Sequence, residues 1–218
     1  MIVLQGKLPR KLVLACSGGA DSMAALSFLI KNHEVTVIHC DHGTPDSRLG
    51  DRVIRRFLSK PAIQALSTTV SYRTANIHRD FRKKRDRESQ EEYWRKFRYN
   101  TFKTLYPGRT VVTAHNLDDC VETWLWSSIN GEGKLIPRCN DNVIRPFLLN
   151  KKRDLTMWCQ LNDVEYHDDK SNTDLQYTRN YIRHELMPHV LKVNPGIQKV
   201  VRKKLARRWK EEQANEHQ

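Results

Sequence analysis

The sequence lacks the composition of several protein classes. Glycine and proline are sparse, at 9 and 8 of 218 residues, which excludes a collagen-like or low-complexity chain. No apolar run approaches the roughly 20 residues of a membrane-spanning helix, and the polar residues within the N-terminal stretch MIVLQGKLPRK argue against a signal peptide. We therefore expect a globular protein without a membrane segment.

Cysteine is also scarce, and its spacing excludes common metal motifs. The five cysteines include no CxxC pair, so the sequence predicts neither a zinc ribbon nor an iron–sulfur site. An odd number of scattered cysteines does not suit a disulfide framework, which favours a reducing compartment. We expect a cytoplasmic protein.

Acidic residues are too few to balance the basic ones. The 38 Lys and Arg exceed the 25 Asp and Glu by 13, with a net charge of +7 in residues 73–109 and +6 in residues 192–212. The first segment contains aromatic residues and the run Arg82, Lys83, Lys84 and Arg85. Basic segments interleaved with aromatics can contact phosphates and stack on unpaired bases, so we predict an RNA-binding surface. A solvated charged face is the alternative.

Short β-branched runs alternate with helical patterns over the first 130 residues. The predicted strands are KLVLAC (11–16), EVTVIHC (34–40), LSTTVSY (66–72) and TVVTA (110–114). This alternation predicts an α/β fold, a doubly wound parallel sheet that binds ligands at the carboxyl ends of its strands. VIRPFL (143–148) is a further short strand candidate. We predict a nucleotide-binding domain over residues 1–150, then a small helical extension with a basic C-terminal helix over 151–218.

The strongest local pattern lies between the first predicted strand and the helix after it. It consists of Ser17, Gly18, Gly19, Ala20, Asp21 and Ser22. Two glycines let the backbone turn sharply and approach an anion, and N–H groups at a helix start bind phosphate oxygens. The loop lacks the lysine of a Walker-type motif. We predict a phosphate cradle with added hydroxyl donors; a plain glycine turn with a polar helix cap is the alternative.

A second polar cluster follows the fourth predicted strand. Asp118, Asp119 and Glu122 fall within about one helical turn, so their carboxylates converge near the strand ends. Acids this close repel one another unless a cation joins them, either Mg²⁺ or a substrate ammonium group. The alternative is that acids in a first helical turn complement the helix dipole.

Five motifs in order resemble those of a known family. The glycine loop resembles SGGxDS of the PP-loop ATP pyrophosphatase superfamily, and AHNLDDCVET (114–123) resembles AHHxDDQxET of the tRNA(Ile)-lysidine synthetase family. RPFL (145–148) resembles that family's RPLL, the segment 169–183 resembles DxSNxDxxYxRNxIR, and LMP (186–188) follows. The resemblance covers roughly residues 10–195. We expect a short form without the C-terminal domains usual in the family.

The resemblance implies an activity. Family members use ATP to adenylate the C2 carbonyl of the wobble cytidine of tRNA(Ile), and the amine of free lysine displaces AMP to form lysidine. ATP and Mg²⁺ are the implied cofactors, and the tRNA anticodon region and free L-lysine are the implied partners. The basic segments or a second subunit, as in a homodimer, would then supply tRNA selectivity. The alternatives are a PP-loop tRNA thiolation enzyme and a tRNA-binding module with a degenerate ATP site.

The motifs also imply roles for individual residues. The nucleotide would be held by Ser17, Gly18, Gly19, Asp21 and Ser22. Asp21 and Asp118 would contact the metal ion, while Asp119 and Glu122 would bind lysine. Arg145 would point into the same site, and the tRNA would contact Arg82, Lys83, Lys84 and Arg85.

Four further residues are candidates from their type and spacing. Asp41 ends the second predicted strand about twenty residues after the glycine loop, where nucleotide folds often place a ribose or adenine contact. Arg179 and Arg183 lie four apart on one helix face and would clamp ATP phosphates or the RNA backbone, with surface ion pairs as the alternative. His115 is a phosphate donor, a proton acceptor or a structural hydrogen-bonding residue.

Overall fold

Six strands form one sheet in a computed structural model that describes residues 1–66 and 70–215. The strands are β1 (Lys11–Ala15), β2 (Glu34–Asp41), β3 (Val70–Asn76), β4 (Val111–Val112), β5 (Cys139–Asn140) and β6 (Val143–Ile144). Their order across the sheet is β3-β2-β1-β4-β6-β5, and every neighbouring pair is parallel except the last. The predicted α/β class and parallel sheet are confirmed.

Helices cover both faces of this sheet within the described residues. The first five are α1 (Ala20–Leu29), α2 (Pro45–Leu58), α3 (Pro61–Gln64), α4 (Ile77–Asp80) and α5 (Gln90–Leu105). The others are α6 (Leu117–Ile129), α7 (Lys152–Leu161), α8 (Thr178–Tyr181), α9 (Met187–Val193) and α10 (Ile197–Asn215). A 3₁₀ turn spans Lys170–Thr173, and a π-helical turn, Ile182–Leu186, joins α8 to α9.

The continuous apolar run of β1 is explained by burial on both faces. Leu12 and Leu14 pack in a core with α1, whereas Val13 between them packs on the other side with Phe97 and Phe102 of α5. Successive strand residues point to opposite faces, so a central strand needs apolar side chains at every position. The glycine loop therefore begins at a strand with little freedom to move.

The segment after residue 150 shares these cores. Side chains of α7 enter the same core as α1, and α10 packs along α6 through Ile197, Val201 and Leu205. This packing places both helices beside the carboxyl ends of the strands. The domain boundary near residue 150 remains a prediction.

Some predicted bounds differ from the structure. The third strand begins at Val70 and extends to Asn76, and residues 67–69 of the predicted strand lie outside the described residues. The helix predicted to carry Arg179 and Arg183 on one face is interrupted by the π-helical turn, which local periodicity does not reveal. The strand candidate at VIRPFL (143–148) is confirmed only for its first two residues, which form β6, and β5 beside it was not predicted. None of the described helices has the length and hydropathy of a membrane span.

Candidate functional site

The glycine loop approaches α2 backbone to backbone. Gly18 has φ +87°, and a Cβ atom there would collide with the main chain of Gly50 in α2. A side chain on Gly50 would in turn collide with the carbonyl oxygen of Ser17. Gly50 was not predicted as part of the site, although a glycine inside a helix such as α2 can signal a close approach of this kind.

Hydroxyl groups hold the loop in shape. Ser22 Oγ accepts from the Ser17 N–H at 3.2 Å and donates to the Gly19 carbonyl at 3.0 Å, and Ser17 Oγ accepts from the Gly19 N–H at 3.3 Å. His39, buried in β2, bonds the Cys16 carbonyl through Nδ1 at 2.9 Å. The two predicted serines therefore serve the loop's own backbone, and His39 is a support that the sequence analysis missed.

Asp21 lies in the first turn of α1, directly after the glycine loop. Its Oδ1 is buried and has no hydrogen-bond partner within the described part of the chain. Burial and the charge of Asp119, with a smaller effect of Asp118, raise the pKa of Asp21 to about 7. The glycine loop is thus close enough to the acid cluster for their charges to interact, and Asp21 keeps one buried oxygen without a partner among the described residues.

Asn116 starts α6 and fixes its first acids. Its side chain accepts from the N–H groups of Asp118 and Asp119 at 2.9 and 3.1 Å, and Asp119 Oδ2 accepts from the Asn116 N–H at 2.9 Å. This reciprocal capping box orients Asp119 into the protein. Asn116 replaces the second histidine of the resembled motif and has a clear structural role here.

Two arginines neutralise two of the predicted site acids. Arg179 donates to Glu122 at 2.9 Å and to Asp119 at 2.6 Å, and Arg183 donates to both Glu122 oxygens at 2.7 and 3.1 Å. Burial opposes ionisation of Asp119, but Arg179, the N–H of Asn116 and the other neighbouring groups together outweigh burial and lower the pKa of this carboxyl. Asp119 and Glu122 are 7% and 3% exposed. The sequence suggests separate roles for the acids and the arginines, whereas the structure joins them in ion pairs.

Asp118 differs from its neighbours because no described cationic side chain forms an ion pair with it. Its Oδ2 accepts from the Lys152 N–H at 2.7 Å, and its Oδ1 accepts from Nε2 of Gln198 in α10 at 2.9 Å. A cavity of about 210 Å³ lies beside it, with Glu122, Arg183 and Lys152 also on its walls. The remaining wall is largely apolar and includes Val121, Met187 and Leu191.

His115 lies behind these acids and is uncharged. Burial, partly offset by Asp119 and reinforced by Arg145, lowers the pKa of His115 to about 4. Its Nδ1 is 2.8 Å from Thr113 Oγ1, while Arg145 is buried and donates to the Pro137 carbonyl and the Tyr99 hydroxyl. A neutral imidazole can accept a proton or donate a hydrogen bond, so the geometry leaves both roles open.

Asp41 lies at the carboxyl end of β2, as the sequence predicts. It accepts from the Gly43 N–H at 2.9 Å and from the Asn76 side chain at 2.8 Å, and these contacts join the ends of β2 and β3. Burial raises the pKa of Asp41, but the hydrogen bonds from Gly43 and others lower it overall. The carboxylate is thus ionised and fixed in direction.

The basic run 82–85 is organised by a buried acid that the sequence analysis missed. Both Glu88 oxygens accept from Arg82, at 2.6 and 2.9 Å, Lys96 contacts one of them at 3.0 Å, and Lys84 donates to the Glu88 carbonyl. Arg82, aided by Lys96, lowers the pKa of Glu88 to about 2. Lys83 and Arg85 stay exposed, and their side chains form no ion pair with described residues. Arg82 and Lys84, two of the four predicted RNA contacts, therefore form hydrogen bonds to Glu88.

Two other observations show where a ligand could bind. Among the described residues, no group of three or more His, Cys, Asp or Glu side chains is arranged to hold a metal ion. A larger groove of about 450 Å³ near Lys60 and Tyr166 contains none of the predicted site residues. The cavity beside Asp118 is therefore the better candidate for a substrate site.

Comparison with known proteins identifies similar chains. A family model of the PP-loop domain matches residues 3–190. The tRNA(Ile)-lysidine synthase of Thermosipho africanus is 31% identical over 212 residues, which cover 91% of this chain and 48% of that protein. The enzyme of the same name from Petrotoga mobilis is 31% identical, with 85% and 61% covered. The chain thus spans about half the length of such curated relatives.

The fold is also found among solved structures. The U34-tRNA thiolase NcsA from Methanococcus maripaludis aligns with a TM-score of 0.68 over 94% of this chain and 74% of that one, at 13% identity. Identity this low supports the shared fold alone.

Proposed function

Because the chain belongs to the PP-loop domain family, we propose that it is a tRNA-modifying ligase of the lysidine-forming kind. It would use ATP to adenylate the C2 carbonyl of the wobble cytidine of tRNA(Ile), and free lysine would displace AMP. The observation that carries the proposal is the closeness of the glycine loop to the acids of α6: helix α7 contacts both Ala20 and Asp118, and the charges of Asp118 and Asp119 act on Asp21. A nucleotide cradle and an acid cluster in one place suit a reaction that consumes ATP and an amine.

The nucleotide would lie against the glycine loop. The N–H groups at the start of α1 carry the positive end of the helix dipole and suit pyrophosphate oxygens. The tight contact of Gly18 with Gly50 fixes the loop, so little ordering would be needed when the anion binds. Asp41, at the end of β2, is the proposed contact for the ribose or adenine.

The unpartnered oxygen of Asp21 fits an Mg²⁺ ion. Magnesium in such sites uses one or two carboxylates together with substrate phosphates, so it does not need a cluster of three protein ligands. When bound, it would supply positive charge that stabilises the developing negative charge on the phosphates. Asp118, the second predicted metal contact, already accepts two hydrogen bonds, so Asp21 is the stronger candidate.

The cavity beside Asp118 suits an amino acid with a long side chain. Val121, Met187 and Leu191 provide an apolar wall for an alkyl chain, and acidic and basic side chains line the other walls. Lysine has an alkyl chain with an ammonium group at one end and an ammonium group and a carboxylate at the other. These groups match the apolar and charged walls of the cavity. Acids and apolar groups in one small cavity favour an amine substrate over a sulfur donor.

The arginine pair links the two substrates. Arg179 and Arg183 neutralise Asp119 and Glu122, and guanidinium groups also bind phosphate well. The proposal is that bound nucleotide draws at least one of these side chains toward its phosphates. The acids would then be available to orient the attacking amine.

RNA would be held by the basic surfaces. Lys83, Arg85 and the lysines and arginines of α10 supply exposed positive charge for the anticodon region of tRNA.

The proposed location is the cytoplasm. All five cysteines are free thiols, which suits a reducing compartment.

The cleavage of ATP tests the enzyme assignment. The protein, ATP, Mg²⁺ and tRNA(Ile) transcript are incubated with and without lysine, and AMP and pyrophosphate are quantified. We expect tRNA-dependent pyrophosphate formation, with sustained AMP release only when lysine is present. Asp21→Asn should lower both by about 100-fold, whereas the exposed Asp86→Asn serves as the matched control. No pyrophosphate from the wild-type protein would leave only a tRNA-binding module.

A further inference from the structure

The last helix contributes a side chain to the substrate cavity. Gln198 of α10 lines the cavity and donates to Asp118 across 80 residues of sequence. The family match ends at residue 190, so α10 lies outside it. The sequence predicts this helix only as a basic RNA-binding element, but its Gln198 lines the cavity beside Asp118.

The chemistry of the amide fixes its orientation. A carboxylate only accepts hydrogen bonds, so the NH₂ group of Gln198 must face Asp118 Oδ1 at 2.9 Å. The amide oxygen is then turned away as an acceptor, and none of the described residues donates to it. The Asp118 carboxylate and this carbonyl oxygen together provide two acceptors at the cavity wall.

Charge distinguishes this position from the other acids. Asp119 and Glu122 are paired with Arg179 and Arg183, whereas Asp118 receives only neutral N–H donors. An ammonium group can approach Asp118 without displacing a guanidinium. Its three N–H donors match a carboxylate with a neighbouring carbonyl.

We propose that Gln198, together with Asp118, binds an ammonium group of the amino-acid substrate and is a specificity-determining residue. This inference rests on the proposed function, because it assigns the amine substrate of that same site. Gln198 holds the carboxylate in the direction of the cavity and offers its own carbonyl as a second acceptor. The alkyl chain of the substrate then lies along Val121, Met187 and Leu191.

Two substitutions at Gln198 test this assignment through lysine binding. Gln198→Leu keeps a side chain of similar size but removes the amide, and we expect the Kd for lysine, measured by calorimetry, to rise about tenfold. The KM for ATP should not change, which separates this effect from general damage to the site. A lysine Kd equal to that of the wild-type protein would overturn the proposal.

Gln198→Lys provides the second measurement. It places a tethered ammonium group beside Asp118 where the substrate amine would bind, so lysine binding should be lost while the Tm is maintained. Gln213, exposed on the same helix, receives the same two substitutions as a control and should retain wild-type affinity. Lysine binding by Gln198→Lys at wild-type strength would contradict the assignment.

The proposed function is tested separately by product formation. If the wild-type protein forms no lysine adduct on tRNA, the ligase proposal fails, whatever the binding data show. If it forms the adduct and Gln198→Leu binds lysine normally, the ligase proposal stands and the role of Gln198 is wrong.

Discussion

Arg179 and Asp119, sixty positions apart in the sequence, are joined by an ion pair of 2.6 Å between Nη2 and Oδ1. Arg183 and Glu122 complete this group, so that two cations neutralise two buried acids. Residues that the sequence suggests for two different ligands are each other's partners in the structure. The group therefore has a structural role as well as a proposed catalytic one.

Removing one acid from this group should destabilise the fold. Glu122→Gln leaves two guanidinium groups facing one carboxylate, and Arg183 is only 22% exposed. Breaking a buried ion pair costs more than breaking an exposed one, so we expect the free energy of unfolding to fall by about 2 to 3 kcal/mol. Urea denaturation at neutral pH measures the change.

An exposed ion pair supplies the matched control. Arg56 and Glu165 contact each other at 2.5 Å, with side chains that are 64% and 47% exposed. Glu165→Gln should change the free energy of unfolding by less than about 1 kcal/mol. Equal losses for the two variants would show that the buried group carries no special stability.

The close approach of the glycine loop to α2 predicts different effects at two glycines. Gly18 and Gly108 both have positive φ, +87° and +69°, but only a Cβ atom at Gly18 would collide with another backbone. Gly108→Ala should cost about 1 kcal/mol for its strained conformation. Gly18→Ala should cost more and should also raise the KM for ATP, which Gly108→Ala leaves unchanged. Similar stability and ATP use in both variants would refute the tight loop contact.

The basic run should divide into structural and RNA-binding residues. Replacing Lys83 and Arg85 together by Ala should weaken tRNA binding and reduce the slope of log K against log salt by about 1 for each side chain. Filter binding at several salt concentrations measures both quantities.

Arg82→Ala should behave differently within the same run. It leaves the buried Glu88 with Lys96 as its remaining ion-pair partner among the described residues, so the Tm should fall. A variant that loses tRNA affinity without any loss of Tm would show that Arg82 is an RNA contact after all.

The half-buried His42 should contribute to acid sensitivity of the fold. Burial, together with Arg98 and His39, lowers the pKa of His42 to about 3, and its ring stacks on Trp94. The unfolded chain binds a proton at this histidine near pH 6.5, whereas the folded state does so only near pH 3, so the contribution of His42 to stability falls as the pH drops from about 6.5 toward 3. His42→Phe keeps an aromatic ring and should flatten this part of the curve. An unchanged pH slope in urea denaturation would contradict the assignment.

The sheet could be predicted from the sequence because its signals are local. Alternating β-branched runs and helical patterns predict a doubly wound parallel sheet, and the glycine loop follows β1 and leads into α1 as expected. The convergence of Asp118, Asp119 and Glu122 likewise follows from helical spacing.

The partners of these residues could not be predicted, because they depend on tertiary contacts. Nothing in the local sequence indicates that Arg179 contacts Asp119, that Gly50 lies under Gly18, or that Gln198 reaches Asp118. Nothing in the sequence around Glu88 shows that it is buried, although it organises the basic run. Burial decides the role of Glu88, and contacts over about 30 to 80 positions decide the others.

Mass analysis of nucleosides from tRNA(Ile), after incubation with the protein, ATP, Mg²⁺ and lysine, tests the central claim most directly. The account predicts that the wobble cytidine gains one lysine with loss of water, and that omission of ATP or lysine abolishes the product. An unmodified cytidine, or a nucleoside that carries sulfur instead of lysine, would contradict it.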